Sequence, residues 1–113
     1  MNYFIFGCRI LQKLSGEFDV PIPELIQASP QKHLSGWYFF DEIHISPESL
    51  KNQFETLRVA RHEFAHYLAD LLNIKINELQ ARKFERNMLA LGKLPKSQTI
   101  LNQFLVGEKN HEF

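Results

Sequence analysis

An α+β fold follows from three features of this 113-residue chain. Residues 57–72 contain no Gly or Pro and space their apolar side chains as one face of a helix. Two short runs rich in aromatic and β-branched residues, 35–40 and 42–45, read as strands joined near Asp41. A second helical stretch opens at Asn77 and reaches about Leu91, with Ala81, Phe84, Met88 and Leu91 spaced as an inward face. With 44% hydrophobic residues, 10 of them Phe by count in the whole chain, one compact core is within reach and two are not. Residues 1–113 are therefore expected to form a single domain.

Residues 2–15 suggest a first helix with Tyr3, Phe6, Ile10, Leu11 and Leu14 inward and Gly7 in its interior, stopping at Ser15-Gly16. Two prolines make Val20-Pro21-Ile22-Pro23 an extended connection. Leu25-Ile26-Gln27-Ala28 is then a short strand, turned by Ser29-Pro30. After the two strands, Ser46-Pro47-Glu48 is a helix start, with a capping serine and a proline at the first helical position. Gly92 and Pro95 end the helix that begins at Asn77. Residues 97–106 suggest a last helix through Ile100, Leu101, Phe104 and Leu105, and Gly107 releases a polar tail, 108–113.

The chemistry is concentrated in His62-Glu63-Phe64-Ala65-His66. Histidines four apart on a helix point the same way and can share one zinc ion, which sets the intervening glutamate beside a water at the metal. At roughly 100° per residue, His66 lies about 40° from His62, while Leu57, Ala60, Phe64, Leu68, Leu71 and Leu72 fill an arc from about 160° to 280°. The histidines therefore sit nearly opposite the apolar stripe.

Catalytic zinc commonly takes three protein ligands. Glu78 is the best third: Asn77 can cap its helix, Ala81 is small enough for close helix approach, and the connection 73–76 is short. Asp70, one turn past His66, is the rival, better suited to orienting an imidazole from behind. Glu63 is the predicted general base, and His62, His66 and Glu78 are the predicted zinc ligands.

The pattern His62-Glu63-x-x-His66 followed by Asn77-Glu78-x-x-Ala81 resembles the gluzincin zinc metallopeptidases, and the short chain and element order resemble the minigluzincins. ImmA/IrrE-type repressor peptidases are similar in the same segment, where Glu78-x-x-Ala81-x-x-Phe84 also matches. The resemblance covers residues 57–91. It implies a minimal zincin-like domain whose small three-stranded, mostly antiparallel sheet packs on the active-site helix and the glutamate helix. It also implies a soluble zinc endopeptidase. Many gluzincins carry an acid directly after that alanine to orient a zinc-bound histidine, and this chain has Arg82 there.

The resemblance further implies that the strand before the zinc helix, Glu42–Ile45 here, presents an exposed edge on which an extended peptide adds as another strand. For the oxyanion, the chain offers His33, Tyr38, His44, Tyr67 and Arg82 without choosing among them. The family's latency suggests two readings of the tail 108–113: a frayed C-terminus, or a segment that, like a second copy of the chain, covers the site. Two other functions remain open: a regulatory peptidase of the ImmA/IrrE type cleaving one repressor or partner, and a non-catalytic metal-binding interaction domain. Retention of Glu63, which zinc binding does not need, argues against the latter.

Bulk properties narrow the classes. Thirteen Lys and Arg balance thirteen Asp and Glu, so no basic footprint points to nucleic acid. The single cysteine, Cys8, excludes a disulfide framework, and no apolar run approaches membrane-spanning length. Tyr3-Phe4-Ile5-Phe6 is too short for a signal-peptide core, so a cytoplasmic protein is expected.

Overall fold

The computed structural model describes residues 2–29, 34–73 and 75–87. The helix expected at 97–106, the inward positions Met88 and Leu91, the tail 108–113 and His33 lie outside the described residues. The elements are α1 (Phe4–Phe18), β1 (Glu24–Gln27), β2 (Gly36–Phe39), β3 (Glu42–Ile45), α2 (Pro47–Leu50), α3 (Gln53–Leu71) and α4 (Glu78–Asn87). The class is α+β. No helix among the described residues is long and apolar enough to cross a membrane.

Helix α1 continues past the expected stop at Ser15-Gly16. Phe18, only 4% exposed, packs its ring against Phe64 and Phe84 with centroids 6.1 and 5.8 Å away. That burial outweighs the small helix penalty of Gly16. The helix ends one residue later, where Asp19 adopts a left-handed conformation (φ 56°) that turns the chain out. Of the residues expected inward, Leu11 and Leu14 are buried, and Tyr3, Phe6 and Ile10 are half-buried. Cys8 is also half-buried against the core, and burial raises its thiol pKa.

The sheet order is β1-β3-β2. β3 pairs parallel with β1 (Leu25 opposite Ile43) and antiparallel with β2 (Trp37 opposite His44). This corrects two expectations. The sheet is mixed rather than mostly antiparallel, and Glu42–Ile45 is the central strand, not an edge. The reason is chain direction: the hairpin turning at Phe40-Asp41 reverses β2, so β3 again runs along β1 and fills the space beside it. Ile43 and Ile45 are fully buried, as a central strand's inward positions should be.

Helices α2 and α3 start as capping chemistry dictates. The Ser46 hydroxyl accepts the Ser49 N–H at 3.1 Å with Pro47 next in line, and Asn52 Oδ1 accepts the Glu55 N–H at 3.0 Å. Helix α3 is the centre of the molecule. Ala60, Phe64 and Leu68 on its apolar arc are fully buried, Leu57 and Leu72 are half-buried, and Leu71 in the last turn is exposed. Its opposite face is covered too, by β2 and α4, so His62 and Glu63 are also buried. Asn77 and Gln80 cap α4 reciprocally: the Gln80 N–H donates to Asn77 Oδ1 and the Asn77 N–H to Gln80 Oε1, both at 2.8 Å. Ala81 and Phe84 then seal α4 against the core.

Candidate metal centre

His62 and His66, one turn apart on α3, turn their rings toward the first turn of α4, with centroids 5.4 Å apart. Glu78 opens α4 because Asn77 caps it, and its carboxylate reaches both rings. His62 Nε2 lies 2.6 Å from Glu78 Oε2, and His66 Nε2 lies 3.1 Å from Glu78 Oε1. Ligand atoms of all three residues fall within 4.8 Å of one another.

The donor set fits a zinc ion. Two imidazole nitrogens and a carboxylate oxygen suit its borderline softness, and ligands of a tetrahedral zinc stand roughly 3.3 Å apart. The 3.1 Å pair meets that separation. The 2.6 Å pair needs the carboxylate to withdraw by about 0.7 Å, which its 68% exposed side chain is free to do. Burial holds His66 below the usual histidine pKa, against the opposing charge of Glu78, and so favours the neutral ring that a metal requires. For Glu78 burial acts upward, but the hydrogen bond from His62 and the charge of both imidazoles prevail and lower its pKa.

A residue that sequence reasoning missed stands behind the ring. Glu85 Oε1 lies 3.0 Å from His62 Nδ1, with side-chain exposures of 14% and 10%. A hydrogen bond donated from Nδ1 leaves Nε2 as the nitrogen that faces Glu78, where it donates to the carboxylate or, with its proton lost, offers its lone pair to a metal held between the two. The signal was available, since Glu85 is seven residues past Glu78 and therefore on the same face of α4. Asp70 does not take this part. Its Oδ2 accepts the Tyr38 hydroxyl at 2.6 Å, a partner supplied by β2 rather than by either imidazole. Arg82 leaves no gap in the orienting contacts because Glu85, three residues on, anchors His62.

Glu63 is 8% exposed and shares a cavity of about 370 Å³ with His66, Glu78, Gly36 and Tyr38. Burial drives its pKa up to about 7; His62 pulls it down and Glu78 pushes it up by lesser amounts. A carboxyl that changes charge near neutrality can both take and return a proton. The site owes part of its shape to Gly36. A Cβ there would stand 2.5 Å from Val59 Cγ1 and 2.7 Å from the His44 carbonyl oxygen, with Glu63 Cγ at 3.7 Å.

The residues considered for the oxyanion separate cleanly. His44 alternates with the buried Ile43 and Ile45, stacks on Trp37 at 5.1 Å and pairs with Glu42 at 3.1 Å. Tyr67 is 1% exposed and donates its hydroxyl to the Pro21 carbonyl. Tyr38 lines the cavity beside Glu63 and His66; burial and the Asp70 carboxylate raise the pKa of its phenol, so it stays protonated. Arg82 lines an adjoining cavity of about 300 Å³ with His62, Glu63 and Glu78. Tyr38 and Arg82 are thus the members of that set which border the site among the described residues.

Compared with protein-family models, curated proteins and solved structures, the chain has no significant match in any of the three.

Proposed function

We propose that the protein is a small zinc-dependent endopeptidase of the gluzincin kind, with His62, His66 and Glu78 holding the metal and Glu63 acting as general base. The observation that carries this reading is the placement of Glu63. A glutamate that no metal requires is buried, with a pKa near 7, on the same cavity as the His/His/Glu cluster. A purely structural metal site has no use for it.

A bound zinc ion would supply Lewis acidity toward a peptide carbonyl and toward a water. The protein's own groups do the rest. Glu63 takes a proton from the attacking water on its carboxylate and delivers it to the leaving amine. Glu85 keeps His62 in one tautomer and orientation through Nδ1. Tyr38, its hydroxyl held by Asp70, forms the wall facing His66.

The strand open to a peptide is β2. Among the described residues it bonds β3 on one side only, and Gly36, Trp37 and Tyr38 border the cavity that contains Glu63 and His66. An extended substrate adding to that free edge would lie across the cluster, with backbone hydrogen bonds supplying affinity.

The test is cleavage of a peptide mixture by zinc-loaded protein, read by mass spectrometry, beside Glu63→Ala. The variant should keep its zinc and lose roughly 100- to 10,000-fold in turnover. Undiminished cleavage by Glu63→Ala contradicts the assigned base.

A further inference from the structure

We propose that Arg82 is a specificity-determining residue that pairs with a carboxylate of the bound peptide, either an acidic side chain or a free C-terminus. The inference rests on the peptidase reading and names its substrate class. Arg82 follows Glu78 by one helical turn, about 6 Å along α4, and its exposed side chain borders the cavity shared with His62, Glu63 and Glu78.

What sets it apart is the absence of a partner. Among the described residues Arg82 enters no hydrogen bond and no ion pair. The neighbouring Arg58, on the same cavity, is committed to Glu55 through two contacts of 3.1 and 2.9 Å. Two of the nearby carboxylates are engaged as well: Glu78 faces the two imidazoles and Glu85 holds His62. Position 82 therefore presents an uncommitted guanidinium at the cleft, a planar fork matched to a carboxylate. An extended peptide advances about 3.3 Å per residue, so a guanidinium on the cavity of His62, Glu63 and Glu78 serves substrate positions within about two residues of the scissile bond.

The test uses blocked octapeptides of one neutral sequence, with a single Glu or Gln moved through successive positions, and a version ending in a free carboxylate or an amide. For the zinc-loaded wild type, Glu within about two residues of the cut, or the free C-terminus, should raise kcat/KM roughly five- to tenfold over its neutral counterpart. The Glu/Gln and carboxylate/amide arms tell the two sources apart. Arg82→Gln should bring the ratio to about one, and Arg82→Lys should restore part of it, with zinc content and circular dichroism unchanged in both. A ratio near one in the wild type, or one that survives Arg82→Gln, overturns the proposal. If no peptide is cleaved, the peptidase reading fails by itself. Fluorescence anisotropy of the labelled peptides on zinc-loaded Glu63→Gln protein, with and without Arg82→Gln, then decides Arg82 separately. A matching Kd ratio that Arg82→Gln abolishes supports the pairing; equal affinities or no binding refute it.

Discussion

Substituting Glu85 probes the least obvious part of the centre. Glu85→Gln preserves size and removes the charge behind His62; Glu85→Ala removes the contact altogether. The hydrogen bond is 3.0 Å long, and both side chains are largely shielded from water, at 14% and 10% exposure. A shielded hydrogen bond to a charged group contributes about 1.5–3 kcal/mol. If that orientation energy is expressed in metal binding, it corresponds to a loss of roughly 10- to 100-fold in zinc affinity. The smaller loss is expected for glutamine, which can still accept from Nδ1, and the larger for alanine. Competition with a chromophoric chelator measures the affinity, and thermal melting of the metal-free variants measures stability independently. A purely structural contact would lower the melting temperature and leave zinc affinity within twofold of wild type. That outcome would refute the orienting role of Glu85.

Two glycine substitutions should act in opposite directions. Gly36→Ala forces a methyl against Val59 and against a backbone carbonyl that cannot yield, costing about 2–3 kcal/mol and lowering the melting temperature by about 10 °C or more. Gly16→Ala, with nothing within 4 Å of the new methyl inside α1, should instead stabilise by about 0.5–1 kcal/mol; a lower melting temperature would contradict the continuation of α1 through Gly16. Zinc added at about 100 times its Kd should stabilise the fold by about 2.7 kcal/mol, seen as an upward shift in melting that chelator reverses and that Glu78→Ala abolishes. An equal shift in Glu78→Ala would place the ion elsewhere.

Local chemistry made much of this architecture readable. The Ser46-Pro47 start, the Asn77 cap and the inward Ala81 and Phe84 each follow from interactions within a few residues. The convergence of His62, His66 and Glu78 was legible for a related reason, since helical periodicity fixes two of them and a short connection delivers the third. Long-range pairing was not. Nothing in Glu24–Gln27 or Glu42–Ile45 taken alone specifies that they run parallel, so β3 was expected at the edge that β2 in fact occupies. The end of α1 was misplaced because Gly16 signals a stop locally, while Phe18 gains more by reaching Phe64 and Phe84. Glu85 stands behind His62 where Asp70 was expected, for the same reason: sequence distance favoured the nearer acid, and the packing of α4 on α3 brought in the other.

Elemental analysis of purified protein, wild type beside Glu78→Ala, bears most directly on the metal centre. One zinc per wild-type chain, sharply reduced in Glu78→Ala while the fold persists by circular dichroism, is the predicted result. Wild-type protein that takes up no zinc after supplementation would leave His62, His66 and Glu78 as an ordinary polar cluster and contradict the account.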